Sequence, residues 1–207
     1  MHCIPTLKDG DYTMWESKSI LRYIANKHNL ESWYPTDPQK RGIVDMTLDF
    51  CANVMAPILG PKLVYPKAGF SGPVSAEELE SAEKKWAEDV MPAFEHILMR
   101  SGGPFCGGAK PNIADLAILG NLVMVYGKCP DSFVCKTESL TAYYTALKAA
   151  LPKYAEAFCY IFVAKMIYFD IGLYCYYCHD YYILLLVMLL WSDLQCFNFK
   201  FKSHRKC

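Results

Sequence analysis

The sequence predicts an α+β protein that is mostly helical, with a β-hairpin and one helix followed by an all-α helical bundle. Three observations lead to this prediction. An apolar, β-branched run precedes a Gly-containing turn near the N-terminus, an amphipathic segment follows directly, and the segments after it have the apolar spacing of helices. With 207 residues the chain is long enough for two small domains that share an interface.

The N-terminal unit is predicted to be strand, turn, strand and helix. Residues 3–7 form the first apolar run, and Gly10 in the turn after it can take the positive φ that tight hairpin turns favour. A second strand is expected at residues 12–15. Ser17 then precedes apolar residues at helical spacing, so we expect Ser17 to cap a helix that runs to about His28.

A proline-containing linker separates this unit from the predicted bundle. We expect domains at residues 1–34 and 40–158. The bundle helices are predicted from about Lys40 to Leu59, from the capping box at Ser75 toward Met99, from Asn112 through Val125 and from Ser139 to Leu151. The first should end at Gly60–Pro61, and Pro92 should bend or interrupt the second. The third is apolar nearly all round, which places it at the centre of the bundle.

Asn112 and Asp115 predict how that third helix begins. Asn112 has a side chain that caps helices, and Asp115 lies three residues later, where its carboxylate can reach back to the cap amide. We therefore interpret Asp115 as a structural acid and not as a catalytic one.

Composition limits the partners that the chain can have. Its 21 basic and 21 acidic residues cancel, so no general attraction to nucleic acid or acidic membranes is expected. Ten cysteines would suit a secreted disulfide framework, but the sequence at Met1 lacks the pattern of a signal peptide. We expect free thiols and a cytoplasmic location.

Residues 159–207 differ from the rest, being dense in aromatic residues and cysteine. Residues 175–179 match the C-x-x-C-H pattern of haem attachment, but in surroundings unlike a cytochrome, and a zinc site would need a fourth ligand. We therefore predict no metal site. The apolar run at 181–191 is shorter than the ~20 residues that span a membrane. A tail anchor is one alternative; read-through of non-coding or frame-shifted sequence is the one we favour.

Residues 2–7, then residues 15–17 and Ile20, resemble the glutathione-binding signature of cytosolic glutathione transferases, closest to the theta and delta type. Residues 105–108, followed by 112–115, are similar to the family's buried cap-and-staple element. The resemblance covers residues 2 to about 158. It implies a remnant of a thioredoxin-like domain, consisting of the hairpin and helix, followed by the family's all-α C-terminal domain.

The resemblance implies a glutathione-binding half-site at the start of the first helix. Ser17 and the amides of the first turn would hold the γ-glutamyl carboxylate, which the helix dipole favours. Glu16 would take the ammonium group, and Lys18 stands where family members often have arginine. Without the resemblance, Glu16 and Ser17 would be read as a solvated acid and an ordinary helix cap.

Three residues before the turn complete this predicted half-site. In the family the proline at Pro5 is cis, which exposes the backbone of Ile4 to pair with the cysteinyl part of glutathione. His2 matches a position that faces the glycyl end in delta-like members. Glutathione would therefore be a co-substrate, and no other cofactor is expected.

The same resemblance predicts that the group which activates the thiol is missing. In the family a hydroxyl or thiol donor lies on the first strand or the loop after it, and this chain matches the family from the third strand onward. We expect no catalytic residue and an inactive chain. The expected family function is conjugation of glutathione to apolar electrophiles, with Met55, Leu59 and Tyr65 as candidates for the electrophile site, or else ordinary core residues. A homodimer is a further expected partner. The alternatives are a non-catalytic transferase-like binding module and a tail-anchored fragment.

Overall fold

A computed structural model describes residues 6–151 of the chain. Strands β1 (Thr6–Asp9) and β2 (Tyr12–Trp15) form an antiparallel hairpin in which Asp9 pairs with Tyr12 across the turn. Gly10 adopts a φ of 59°, the left-handed conformation that this turn requires. The predicted hairpin is therefore confirmed, and its first strand extends beyond the predicted residue 7 to Asp9.

Helix α1 (Ser17–Lys27) packs back against the hairpin and the bundle. Its apolar face is buried, and it ends one residue before His28, where the sequence predicts its end. The hydroxyl of Tyr23 donates a 2.6 Å hydrogen bond to Oδ2 of Asp9, and Lys27 forms an ion pair with the same carboxylate. One strand residue therefore fixes the hairpin on α1.

Helix α2 (Pro38–Ala68) begins at the predicted linker and is longer than the sequence predicts. The prediction that it ends at Gly60–Pro61 is wrong, because the chain continues through this dipeptide in a π-helical stretch, Leu59–Val64. A first π-helical stretch, Cys51–Met55, precedes Pro57. The wider π turns accommodate prolines, which lack an amide donor and crowd the preceding turn.

Helix α3 comprises the consecutive segments Ala76–Lys85, Trp86–Val90 and Met91–Ser101. The predicted capping box at Ser75 is present, with Glu78 bonding back to the Ser75 amide at 3.1 Å. The middle segment is π-helical and lies just before Pro92, so the predicted interruption is confirmed as a local widening of the helix. The helix ends at Gly102, which has a φ of 70°.

Helix α4 (Ile113–Lys128) is the central helix, and α5 (Glu138–Ala150) follows it. Twelve of the 16 residues of α4 are buried, and α4 contacts α1, α2 and α5, as its all-round apolar sequence predicts. By length and composition α2 is apolar enough to cross a membrane. A single helix of this kind is weak evidence for a membrane span, and the buried residues of α2 pack on α4.

The N-terminal unit and the helical part are joined by a polar contact around Asp45 of α2. Arg22 Nε of α1 lies 2.6 Å from Asp45 Oδ1, and the hydroxyl of Tyr34 donates to the same oxygen at 3.0 Å. The backbone amide of Ile113 donates to the carbonyl of Trp33 at 3.1 Å. The linker is therefore tied to both α2 and the start of α4.

The carboxylate of Asp115 organises the centre of the bundle. Its Oδ2 accepts from the amide of Asn112 at 2.8 Å, which closes the predicted capping box. Its Oδ1 accepts from the amide of Cys106 and from the hydroxyl of Tyr143, each at 2.7 Å. The amide of Gly107 donates to Oδ2 at 3.2 Å. The predicted cap is present, and the contacts of Asp115 reach well beyond it.

Burial raises the pKa of the Asp115 carboxyl, while its hydrogen-bond donors act in the opposite direction. Burial and the nearby Asp115 charge both raise the pKa of the Tyr143 hydroxyl, which keeps it protonated as a donor. Close packing also fixes the turn that supplies two of the amides, since a Cβ on Gly107 would lie 2.3 Å from the carbonyl oxygen of Lys110. Only glycine fits at that position.

Replacing Asp115 with alanine should destabilise the protein strongly. The change leaves the buried amides of Cys106 and Asn112 and the buried hydroxyl of Tyr143 without this acceptor, at about 1–3 kcal/mol for each unsatisfied group. We expect the free energy of unfolding to fall by at least about 3 kcal/mol, measured by urea denaturation followed by circular dichroism. Asp89→Ala, at an exposed helical aspartate, is the matched control and should change it by less than about 0.5 kcal/mol. Equal losses in the two variants would contradict the role of Asp115.

Candidate functional site

The candidate site lies where β2 passes into α1. Glu16 connects Trp15, the last residue of β2, to Ser17, the first residue of α1. Glu16 has a φ of 72° and a ψ of 112°, a conformation that residues with a Cβ rarely adopt. Strained backbone of this kind concentrates at functional sites, where the surrounding structure holds it in place.

The prediction that Ser17 caps α1 is wrong. Glu16 occupies the N-cap position, no side chain makes a cap hydrogen bond, and Ser17 is already the first helical residue. The cause is the backbone of Glu16, because its carbonyl accepts the first helical bond, from Ile20, at 2.9 Å. Among the described residues, no hydrogen bond occupies the Ser17 hydroxyl.

The start of α1 therefore has the features of an anion site. The amides of residues 17–19 have no acceptor within the helix, and the first turn contains no acidic residue. The positive end of the helix dipole lies at the same place. Ser17 and Lys18 are half-buried and Glu16 is exposed, so a hydroxyl, an ammonium and a carboxylate adjoin the unpaired amides.

Of the six residues predicted to bind glutathione, the structure describes three. Glu16, Ser17 and Lys18 lie together at this helix end. His2, Ile4 and Pro5 lie outside the described residues, and their roles stay predictions.

Lys18 lies close enough to Cys51 of α2 for its charge to act on that thiol. Burial nevertheless dominates and raises the pKa of Cys51 to about 11. Asn121 Nδ2 donates to the Cys51 sulfur at 3.3 Å. Cys51 is therefore a protonated core thiol and not a nucleophile.

Two of the three apolar candidates for the electrophile site belong to the core. Met55 and Leu59 are buried on the inner face of α2, which agrees with the alternative that they are ordinary core residues. Tyr65 is half-buried, and its ring covers Gly60, where an added Cβ would lie 2.8 Å from the ring carbon Cζ. Of the three, only Tyr65 keeps an accessible surface.

The sequence does not single out Asp9 or Arg22, although both position this site. Asp9 holds the hairpin on α1, and Arg22 holds α1 on α2. Their partners lie 14 and 23 residues away in sequence, so no local pattern reveals them. Within residues 6–151 no group of three or more His, Cys, Asp or Glu side chains is arranged to hold a metal ion.

The family model for the C-terminal domain of glutathione S-transferases matches residues 71–157. Among similar proteins, glutathione S-transferase theta-1 of Gallus gallus is 32% identical over 136 residues, covering 63% of this chain and 51% of that protein. Glutathione S-transferase P 1 of Xenopus laevis is 30% identical over 158 residues, covering 74% and 66%. Glutathione S-transferase 1 of Manduca sexta is 44% identical over 59 residues, covering 28% and 27%. The chain thus spans less than two thirds of each relative's length.

Solved structures agree with these matches. A delta-class glutathione transferase of Nilaparvata lugens superposes with a TM-score of 0.61 at 26% identity, covering 74% of this chain and 68% of that one. A structure of glutathione S-transferase-I bound with lactoylglutathione has a TM-score of 0.59 at 21% identity, covering 70% and 69%, and shares the fold. Human glutathione S-transferase T1-1, as a W234R mutant, has a TM-score of 0.53 at 26% identity, covering 72% and 62%. The chain belongs to the glutathione S-transferase family, with delta- and theta-class proteins among its structural neighbours.

Proposed function

We propose that the start of α1 binds the γ-glutamyl end of glutathione, and that the function served by this site is conjugation of glutathione to apolar electrophiles. The observation that carries the proposal is the uncapped start of α1, with its strained Glu16. Residues whose side chains cap the helix are preferred at this position. Here the site keeps its amides and the Ser17 hydroxyl available for an anion.

Each polar group at this end has a partner on a γ-glutamyl group. The amides of residues 17–19 and the Ser17 hydroxyl would donate to the α-carboxylate, which the helix dipole also stabilises. The exposed Glu16 carboxylate would accept from the α-ammonium. Lys18 would add a positive charge without the bidentate geometry of arginine. This set matches both charges of the γ-glutamyl end.

The remaining contacts to glutathione are proposed from the resemblance. Ile4, before a cis Pro5, would pair with the cysteinyl backbone, and His2 would face the glycyl carboxylate. The structural neighbour with bound lactoylglutathione supports a glutathione-type ligand for this fold. We also propose a cytoplasmic location, which is typical of the family, and a homodimer.

Conjugation requires a glutathione thiolate, which attacks the electrophilic carbon and forms a thioether. A hydrogen-bond donor aimed at the sulfur favours the thiolate. The site at α1 provides groups for the γ-glutamyl end and none assigned to the sulfur. We therefore propose that this chain alone has negligible conjugating activity.

A non-catalytic binding module is the second candidate function. It is favoured by the match of the family model to the C-terminal domain alone. The polar network around Asp115 also forms without any residue of the hairpin. Glutathione binding without turnover would agree with either candidate, whereas turnover would exclude the second.

The chain should show negligible turnover of a chromogenic aryl halide with glutathione, because no donor is assigned to the sulfur and one preorganised donor is worth about 10²–10³ in rate. The measurement is the absorbance of the conjugate, with an active glutathione transferase as positive control. Robust turnover that Ser17→Ala abolishes would contradict the prediction and would place the thiol-activating group at Ser17.

Glutathione should bind weakly, and the binding should depend on Ser17. Titration followed by amide chemical shifts should perturb residues 17–19 first. Ser17→Ala should weaken binding by about tenfold, because a hydrogen bond to a charged group contributes about 1.5–3 kcal/mol. Ser19→Ala changes another hydroxyl of the same turn and is the matched control, with little expected effect. Equal effects of the two variants, or shifts elsewhere only, would contradict the proposed site.

Replacing Glu16 with glycine should separate stability from binding. Glycine adopts positive φ without strain, so the free energy of unfolding should rise by about 1 kcal/mol. Glutathione affinity should fall because the carboxylate is lost. Glu16→Gln keeps the Cβ and should lower affinity without raising stability. If Glu16→Gly destabilised the protein, the backbone of Glu16 would not be strained as described.

A further inference from the structure

The connection between α4 and α5 contains two thiols. Cys129 lies at the C-terminal end of α4, and Cys135 is six residues later. The chain between them forms two consecutive turns, in which the amide of Ser132 donates to the carbonyl of Cys129 at 3.0 Å and the amide of Cys135 donates to that of Ser132 at 3.1 Å. Two turns in series fold Cys135 back onto Cys129.

The distances show how near the two residues are. The Cys135 sulfur lies 3.4 Å from the backbone carbonyl oxygen of Cys129. The Cys129 sulfur points the other way and donates to the carbonyl of Leu63 on α2 at 3.3 Å. The Cys135 sulfur already contacts the backbone of Cys129, and the Cys129 side chain must turn away from Leu63 for an S–S bond to form.

The two thiols differ in accessibility. Cys129 is buried, whereas Cys135 is half-buried and lines an open groove of about 720 Å³ along α5. The groove also presents the polar side chains of Lys136, Thr141 and Thr145. A small oxidant can therefore reach Cys135 first, and Cys129 is the residue placed to resolve the product.

We propose that Cys129 and Cys135 are a redox dithiol that closes to an intramolecular disulfide when the chain meets a low-molecular-weight disulfide such as glutathione disulfide. The Cys135 thiolate attacks one sulfur of the oxidant, forming a mixed disulfide and releasing one thiolate. The Cys129 thiolate then attacks the Cys135 sulfur and releases the second. The two cysteines lose two electrons and two protons, and the oxidant becomes two thiols.

The surroundings set the rate of this step. Burial raises the pKa of both thiols. The hydroxyl of Ser132 donates to the Cys135 sulfur at 3.5 Å and acts in the opposite direction, lowering the pKa of Cys135. The charge of Asp131 raises the pKa of Cys135, while Lys67 and Lys128 lower that of Cys129. Oxidation should therefore quicken as the pH rises, because the thiolate is the attacking form.

Closure would also act on α2. Once Cys129 is bonded to Cys135, it no longer donates to the carbonyl of Leu63, which lies in the π-helical stretch Leu59–Val64. That stretch immediately precedes Tyr65, the accessible member of the apolar candidates. The redox state of the α4–α5 connection would thus reach the turn of α2 next to Tyr65.

The sequence offers a direct test, because trypsin cleaves after Lys128 and Lys136 and releases both cysteines on one peptide, residues 129–136. The folded full chain is incubated with glutathione disulfide, quenched with acid, denatured and alkylated before digestion. The expected peptide is unalkylated and lighter than the reduced peptide by two hydrogen atoms. Cys51 and Cys106, both buried, should be alkylated after denaturation and serve as internal controls.

Variants and a denatured sample keep the test decisive. Cys129→Ser should trap Cys135 as a mixed disulfide with glutathione, and Cys135→Ser should leave Cys129 reduced. The ratio of closed to mixed disulfide should fall by about tenfold in urea, where only the short flexible linker brings the thiols together. An equal ratio in urea would overturn the proposal, as would a doubly alkylated peptide, a persistent mixed disulfide, or links from residues 129–136 to other cysteines in the folded chain.

Discussion

The buried carboxylate of Asp115 is the interaction on which the rest of the structure depends. It joins three parts of the chain that are apart in sequence: the first turn of α4, the turn at Cys106 and Gly107, and Tyr143 of α5. A buried charge is tolerated only when its hydrogen bonds are satisfied, so these parts must all be in place for the central helix to form its core contacts. The apolar face of α4 can then pack against α1 and α2. The contact with α1 fixes the position of the candidate site, which lies at the start of that helix.

Prolines in the long helices impose the second constraint. Each π-helical stretch adjoins or contains a proline: Cys51–Met55 precedes Pro57, Leu59–Val64 contains Pro61, and Trp86–Val90 precedes Pro92. Widening the turn is an alternative to ending the helix, and packing on α4 supplies the free energy that favours it. As a result α2 runs on to Ala68, and the carbonyl of Leu63 is brought to the sulfur of Cys129. The proposed redox pair thus borders on this widened part of α2.

The candidate site combines a local strain with distant restraints. Glu16 is held in an unfavourable backbone conformation, and α1 keeps that geometry because Asp9 ties it to the hairpin and Asp45 ties it to α2. Rigid positioning matters for anion binding, since amides contribute fully only when they are aligned before the ligand arrives. The γ-glutamyl group that we propose as the ligand has an anionic part for the amides and a cationic part for Glu16.

Local chemistry let the sequence by itself determine the hairpin at Gly10, the end of α1, the capping boxes at Ser75 and Asn112 and the central position of α4. These features depend on residues at most a few positions apart, or on an apolar periodicity that burial alone explains. Glu16, Ser17 and Lys18 were singled out through the family resemblance, and they lie together because they are consecutive. Tertiary structure decided what local chemistry leaves open. Glu16, not Ser17, takes the N-cap position, and α2 continues through Gly60–Pro61. Asp115 also accepts a hydrogen bond from the hydroxyl of Tyr143. Each of these outcomes depends on packing between segments distant in sequence, where the energy of burial outweighs the local preference of a serine for a cap or a proline for a break.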